Sequence, residues 1–193
     1  MTALDRRAAV AELLRDRAAD LMVVSGLGSP SYDVMAAGDD EGNFYLWAAM
    51  GSAAMVGLGL ALAQPDRRVL VVTGDGEMLM GMGALATIGV RQPKNLTIAV
   101  LDNGRYGETG MQESHTAFGV RLEEVAAACG FVHILRTQDE DGVRAIRMLI
   151  DDRAGPVCAI IEIRPDNPPR VLPPRDGVQL KNRFRAALGF ATL

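Results

Sequence analysis

The chain has 193 residues, of which 49% are hydrophobic and 23% are charged, and its net charge is −4. This length fits one domain, residues 1–193, with enough apolar residues for a sizeable core. The mild acidity excludes the basic surface that is typical of nucleic-acid-binding proteins. With two cysteines, Cys129 and Cys158, the chain alone cannot form a disulfide framework, a thiolate zinc site or an iron–sulfur site.

Predicted helices alternate with short apolar strands along the chain. In chain order we predict helix Asp5–Arg17, strands Leu21–Ser25 and Phe44–Leu46, a buried helix of small residues within Trp47–Ala63, strand Val69–Thr73, helix Leu79–Gly89, strand Leu96–Leu101, helix Arg121–Cys129, strand Val132–Leu135, helix Glu140–Asp152, strand Val157–Ile163 and helix Gln179–Leu188. Strands that are apolar throughout predict a parallel sheet covered on both faces. The expected fold is therefore α/β, a three-layer sandwich of about six mostly parallel strands.

The longest uncharged run, Trp47–Ala63, has 17 residues, whereas a membrane span needs about 20. We therefore expect a buried helix rather than a membrane segment, with Gly57 and Gly59 allowing close packing. The charged first ten residues favour a helix over a signal peptide, so a cytoplasmic protein is expected. Residues 167–193 form a proline-rich connection and a final helix rather than a further domain.

Three polar, glycine-rich turns follow predicted strands, and ligands of open α/β sheets bind at such strand ends. The turns are Ser25–Ser29, Gly74–Gly76 and Asp102–Gly104. Asp75 and Asn103 would offer hard oxygen ligands that suit Mg²⁺ once phosphate oxygens and water join them. Each turn alone is more often an ordinary turn than a site. The pair is more specific, because both follow strong strands and the two residues lie 28 positions apart.

These motifs resemble a known signature. GDG followed after 25 residues by Asp102-Asn103 is similar to the GDG…NN motif of thiamine-diphosphate enzymes. Ala48–Ser52 resembles the GxMG segment, and Asn103–Gly107 resembles the NxxYG continuation. The resemblance covers about 20–163 and is to the diphosphate-binding domain of the 2-oxoacid decarboxylases. In particular, the chain resembles the small (beta) subunit of sulfopyruvate decarboxylase and the matching half of phosphonopyruvate decarboxylase.

The resemblance implies thiamine diphosphate and Mg²⁺ as cofactors. Asp75, the Asn103 side chain and the backbone carbonyl of Arg105 would hold the metal. Backbone N–H groups of Gly76 and Glu77 would bind the diphosphate, Met50 would support the bent cofactor, and the Ala48 carbonyl would accept from its amine. The implied cofactor-binding residues are Gly28, Ser29, Ala48, Met50, Gly74, Gly76, Glu77, Asn103, Tyr106 and Gly107.

Some positions depart from the family pattern or keep an alternative interpretation. Asp102 replaces the first Asn of the usual pair, where a metal ligand is not required. Glu77 follows GDG, where the decarboxylases more usually have a small residue, so its carboxylate is expected to point away from the diphosphate. Met50 could instead be ordinary core packing. His115 is a catalytic candidate in the loop Tyr106–Thr116, the expected substrate loop, with a solvent-exposed histidine as the alternative.

The resemblance also implies a partner. The glutamate that activates the cofactor lies on a separate pyrimidine-binding domain in this family, so we expect a hetero-oligomer that is inactive without that subunit. The reaction implied is decarboxylation of a small anionic 2-oxoacid. The alternatives are an acetolactate synthase-like or transketolase-like carboligase subunit and a non-catalytic diphosphate-binding regulatory module.

Overall fold

The computed structural model describes residues 3–192; Met1, Thr2 and Leu193, which the expectation of one 1–193 domain includes, lie outside it. Within this part of the chain, six parallel strands form the main sheet, in the order β2-β1-β3-β4-β8-β7, and β5 and β6 form an antiparallel hairpin. The strands are β1 (Leu21–Ser25), β2 (Asn43–Tyr45), β3 (Arg68–Gly74), β4 (Leu96–Asp102), β5 (Arg105–Tyr106), β6 (Gln112–Glu113), β7 (His133–Thr137) and β8 (Val157–Glu162).

Helices cover both faces of the main sheet, which confirms the expected three-layer α/β fold. The helices are α1 (Arg6–Leu13), α2 (Ser29–Ala37), α3 (Ala53–Ala63), α4 (Asp75–Met80), α5 (Gly83–Arg91), α6 (Leu122–Ala128), α7 (Glu140–Asp151) and α8 (Gly177–Ala187). One core joins α1, α2 and α7 to one face, and a second joins α3, α4, α5 and α6 to the other. At the β2 edge, Phe184 of α8 lies against Phe44, with ring centroids 5.2 Å apart.

The central strands set the geometry of the carboxyl edge. Strand β4 is buried along its whole length, which matches its continuous apolar run. In the parallel register, Ser25 pairs with Val72, and Gly74 pairs with Leu101. The chain therefore leaves β1, β3 and β4 at neighbouring points, and the three polar turns come together there.

Helix boundaries differ most from the sequence prediction. Helix α1 ends at Leu13, and only Ala53–Ala63 of the Trp47–Ala63 run is helical. The expected helix Leu79–Gly89 is two helices, α4 and α5, which are separated around Gly81. The GDG turn therefore opens a helix at Asp75 rather than preceding one at Leu79.

Helix α2 was not predicted, because its first residues Ser29 and Pro30 were interpreted as part of a turn. Gly28 has a φ of +77° and precedes the helix, and a proline in the first turn is compatible with a helix start. None of the described helices has the length and apolar character needed to cross a membrane.

The two glycines inside α3 are not equivalent, so substitutions at these positions test how closely the helix packs on the sheet. A Cβ on Gly57 would lie 2.2 Å from Val71 Cγ2 on β3, whereas a Cβ on Gly59 meets nothing within 4 Å. The expectation that Gly59 permits close packing is therefore wrong. We expect Gly57→Ala to destabilise the protein by about 1–3 kcal/mol through overpacking. Gly59→Ala, the matched control, is expected to stabilise it by about 0.5–1 kcal/mol, as measured by urea unfolding. Equal effects of the two would contradict this packing.

The proline-rich segment before α8 runs back beside the carboxyl edge. The Trp47 indole N–H donates to the Pro174 carbonyl at 2.8 Å, and the Arg175 guanidinium lies 5.4 Å from the Trp47 ring centroid. Asn167 donates to the Gly107 carbonyl at 3.4 Å. This segment therefore joins the loop after β2 to the β5–β6 hairpin.

Candidate active site

A cavity of about 330 Å³ opens at the carboxyl edge of the sheet. Its volume lies in the range of small-molecule sites. The loops after β1, β3 and β4 supply most of its wall. The lining residues are Arg6, Leu27, Ser29, Pro30, Met50, Gly74, Asp75, Gly76, Glu77, Met80, Leu101, Asn103, Arg105, Tyr106, Gly107, Glu108 and Thr109.

Asp75, the first residue of α4, is a buried carboxylate in the cavity wall. The hydroxyl of Ser114 donates to its Oδ2, and that of Thr116 donates to the same oxygen at 3.1 Å. Burial raises the pKa of Asp75, and the nearby Asp102 carboxylate adds to the rise. The charged form of Asp75 is therefore costly without a cation, as expected of a metal-ligand position.

Asn103 and Arg105 lie on the adjacent turn after β4. Asn103 Oδ1 accepts from the backbone N–H of Arg105 at 2.9 Å, and this contact closes the turn. The Arg105 side chain pairs with Glu113 at 3.1 Å across the β5–β6 hairpin. Asp75, Asn103 and Arg105 all line the cavity, so the structure brings the three predicted metal-ligating residues to one wall.

Gly76 lies where a side chain could not fit. A Cβ at this position would lie 2.5 Å from Tyr106 Cε1 and 3.5 Å from Met50 Cε. The ring of Tyr106 therefore packs directly on the backbone of the GDG turn, with Met50 beside it. The absence of a side chain at Gly76 is what allows this close approach in the cavity wall.

Met50 lies in a loop that is held in an unusual conformation. The preceding Ala49 has a φ of +61°, which is costly for a residue with a Cβ. Gly51 lies against Gly81, where an added Cβ would be 2.1 Å from the Gly51 carbonyl oxygen. The Met50 side chain is 38% exposed and lines the cavity, so its alternative interpretation as core packing is wrong.

The Glu77 carboxylate links this loop to the rest of the site. It is buried, accepts from the Thr73 hydroxyl at 2.9 Å and accepts from the Ala53 backbone N–H at 3.3 Å. Burial raises its pKa, while hydrogen bonds from Thr73 and from the backbone of Ala53, Gly51 and Leu27 oppose the rise. Glu77, which departs from the family pattern, therefore has a structural role, because its carboxylate joins the loops after β1 and β2 to β3.

Removing this carboxylate is expected to destabilise the protein. Glu77→Ala leaves buried N–H and hydroxyl donors without an acceptor and creates a cavity, so we expect a loss of about 2–4 kcal/mol in urea unfolding. Glu77→Gln keeps one acceptor oxygen and is expected to lose less. Glu124→Ala, on the exposed side of α6, is the control and is expected to change stability by about 0.5 kcal/mol or less. A Glu77→Ala protein as stable as this control would contradict the linking role.

Three predicted site residues lie outside the cavity wall. Gly28 lies next to the lining residue Ser29, and its position is covered by Glu108, whose Cγ would be 2.8 Å from an added Cβ. Ala48 is exposed on the loop before Met50. His115 is also exposed, and its Nδ1 lies 3.4 Å from the Tyr106 hydroxyl. The structure therefore favours the solvent-exposed interpretation of His115 in the chain as described.

The other predicted positions, from Ser29 through Gly107, do line the cavity, and the structure adds several that were not predicted. Glu108 accepts from Ser29 Oγ at 3.2 Å and from Arg170 at 2.8 Å. Arg6 reaches the wall from α1, and Met80 reaches it from the end of α4. A glutamate in the substrate loop was visible in the sequence, but no motif marked Arg6 or Met80.

Sequence comparison identifies the relatives of this chain. A model of the family described as "Thiamine pyrophosphate enzyme, C-terminal TPP binding domain" matches residues 37–163. Sulfopyruvate decarboxylase subunit beta of Methanocaldococcus jannaschii is 36% identical over 178 residues, covering 86% of this chain and 88% of that protein. Phosphonopyruvate decarboxylase of Streptomyces viridochromogenes is 41% identical over 188 residues, covering 94% of this chain but 45% of the relative. This chain therefore spans less than half of the second relative.

Structure comparison supports the same fold. A protein from Mycobacterium smegmatis that is described as thiamin diphosphate-dependent superposes with a TM-score of 0.72 at 21% identity, covering 85% of this chain and 32% of its own. Benzoylformate decarboxylase from Polynucleobacter necessarius gives 0.67 at 18% identity, covering 88% of this chain and 36% of its own. The chain belongs to the thiamine pyrophosphate-dependent decarboxylases, and it carries their C-terminal cofactor-binding domain.

Proposed function

We propose that the cavity binds thiamine diphosphate together with Mg²⁺. The observation that carries this proposal is the meeting of Asp75 and Asn103 at adjacent strand ends, in a cavity wall that also contains Gly74 and Gly76. A carboxylate, an amide oxygen and the Arg105 carbonyl form the hard donor set that Mg²⁺ prefers. The residues present therefore fit the ion.

The donor set also implies that metal and diphosphate bind together. Among the described residues, no group of three or more His, Cys, Asp or Glu side chains could hold a metal ion. Mg²⁺ usually combines one or two carboxylates with phosphate oxygens. Asp75 therefore supplies the carboxylate, and the diphosphate supplies the remaining anionic ligands.

Each of the remaining proposed residues contacts either the diphosphate end or the ring end of the cofactor. The backbone N–H groups of Gly76 and Glu77, with Ser29 at the start of α2, bind the diphosphate. Met50 supports the ring end, and its loop is fixed by the Gly51–Gly81 contact. The carbonyl of Ala48, an exposed residue of the same loop, accepts from the amine of the cofactor's ring. Bound thiamine diphosphate supplies the electron sink for loss of CO₂ from a 2-oxoacid.

We infer that a separate pyrimidine-binding subunit completes the active site. Two relatives of nearly the same length are named as beta subunits, which supports a second subunit. Met50, Met55, Met80 and Met82 are all at least 38% exposed, and three of them flank the Gly51–Gly81 contact. Met50 and Met80 also line the cavity, and exposed apolar side chains of this kind are typical of a covered surface. The partner contributes the glutamate that activates the cofactor.

The substrate class follows from the relatives' names. We propose a small anionic 2-oxoacid of the sulfopyruvate or phosphonopyruvate type. Decarboxylation is favoured over carboligation, because the relatives at 34–41% identity are decarboxylases. Arg105, in the cavity wall and paired only with the half-exposed Glu113 among the described acids, is available to attract such an anion.

Calorimetry and reconstitution test these proposals separately. The chain alone is titrated with thiamine diphosphate, with and without Mg²⁺, and binding is expected only with the metal. Metal-independent binding would instead favour a non-catalytic diphosphate-binding module. The chain is then combined with the pyrimidine-domain protein of a neighbouring reading frame, and CO₂ release from sulfopyruvate, phosphonopyruvate and pyruvate is measured. Full activity of the chain alone would contradict the partner proposal.

A further inference from the structure

Arg6 is a buried arginine that reaches the cavity from α1. No sequence motif connected this helix with the cavity. It is the first residue of α1, and it is 3% exposed. Leu4 forms a parallel bridge with Ile163, just beyond β8, so α1 begins at the carboxyl edge of the sheet. This start places the Arg6 side chain in the cavity wall rather than on the protein surface.

Asp33 of α2 holds this arginine. Its Oδ2 accepts from Arg6 Nε at 2.6 Å, and its own side chain is 2% exposed. Among the described residues this is the one hydrogen bond of the Arg6 side chain, and its Nη atoms are not among the fully buried atoms that lack a partner. The Nη groups of Arg6 are therefore open to the cavity that the residue lines, where an anionic ligand can accept from them.

The neighbours of Arg6 point to the chemistry of that acceptor. Ser29 and Pro30, at the start of α2, and Asn103 line the same cavity. The other cation of the wall, Arg105, is paired with Glu113 at 3.1 Å. Arg6 bonds its carboxylate partner through Nε, so the Nη groups of its planar guanidinium are left for the phosphate oxygens that such a group suits.

The cavity is lined from both faces of the sheet. Arg6 and Asp33 belong to the helices α1 and α2 on one face of the sheet. Met50 and Met80 belong to the loop and helix on the opposite face. An elongated ligand that crosses the edge would therefore contact both Arg6 and the methionines.

We propose that Arg6, oriented by Asp33, binds the terminal phosphate of a diphosphate ester in this cavity. This inference rests on the proposed function and adds a residue to it. A purely structural role in joining α1 to α2 accounts less well for the burial of Arg6 in the cavity wall. Arg7 also approaches Asp33, with Nε 3.8 Å from Oδ1, so a second arginine of α1 contacts the same carboxylate. Arg7 does not line the cavity, so it gives a matched control on the same helix.

The test compares two ligands that differ by the terminal phosphate. Thiamine diphosphate and thiamine monophosphate are titrated calorimetrically, with Mg²⁺, into the full-length wild type, Arg6→Gln and Arg7→Gln. We expect Arg6→Gln to weaken diphosphate binding about 10- to 100-fold and monophosphate binding less than about 3-fold. Arg7→Gln is expected to bind both ligands like the wild type.

Two results would overturn the inference. The first is that Arg6→Gln binds thiamine diphosphate as tightly as the wild type. The second is that Arg6→Gln loses equal affinity for both ligands, which would indicate a structural role. Should Arg6→Gln fail to fold, Arg6→Lys keeps the charge but not the paired donors and is expected to show a selective loss of a few-fold. A wild type that binds neither ligand would instead contradict the proposed function itself.

Discussion

Asp75→Asn is expected to weaken Mg²⁺-dependent binding of thiamine diphosphate by at least about 100-fold, because the substitution removes the only carboxylate proposed as a metal ligand on this chain. The ligand-free protein is expected to remain as stable as the wild type or to become more stable. Burial and Asp102 raise the pKa of Asp75, so its charge costs stability when no cation is bound. An amide keeps an acceptor for Ser114 and Thr116 without that charge.

Asp102→Asn is the control for this prediction. Asp102 accepts from Thr116 at 2.8 Å and lies 3.5 Å from Arg136, so it belongs to the same cluster without being a proposed ligand. We expect Mg²⁺-dependent binding to persist in this variant. Calorimetry gives the affinities, and thermal unfolding gives the stabilities. Unchanged cofactor affinity in Asp75→Asn, or a loss of the same size in Asp102→Asn, would contradict the metal assignment.

The second large effect is expected at Gly81. A Cβ there would lie 2.1 Å from the Gly51 carbonyl oxygen, and backbone on both sides leaves no flexible side chain to move away. We expect Gly81→Ala to destabilise the protein by about 3 kcal/mol. Because Met50 precedes Gly51, the loop displacement is also expected to weaken thiamine diphosphate binding at least about 10-fold.

Gly83→Ala is the matched control for Gly81→Ala. Gly83 lies two positions later, at the start of α5, and an added Cβ meets nothing within 4 Å. We expect its stability to equal that of the wild type or to exceed it by about 0.5 kcal/mol. Urea unfolding measures the two stabilities, and calorimetry measures the two affinities. A Gly81→Ala protein that matches Gly83→Ala in both would show that the Gly51–Gly81 contact does not position Met50.

The strands were the most predictable part of this protein. Strand β1 has the predicted bounds Leu21–Ser25, and β3 and β4 each extend the prediction by one or two residues. Strands buried on both faces are marked by uninterrupted apolar runs, which a sequence displays directly. The residues after those strands, such as Asp75 and Asn103, were predictable for the same reason, since strand ends fix their position.

Features that depend on tertiary contacts were not predictable in this way. Helix α2 was missed because its apolar residues follow a glycine–serine–proline start, and the break at Gly81 depends on the approach of Gly51. Arg6 resembles any charged residue of an amphipathic helix. Its place in the cavity wall depends on where α1 begins relative to β8, and no local pattern records that relation.

Trp47 gives the protein a built-in optical reporter. It is the only tryptophan of the chain, so its fluorescence requires no label and has a single source. Its indole N–H donates to the Pro174 carbonyl, and Met50 lies three positions further along the same loop. Emission wavelength and quenching therefore report in one signal whether the loop and the proline-rich segment keep their arrangement. The order in which the ligand and the proposed partner subunit bind becomes a stopped-flow measurement on the unmodified chain.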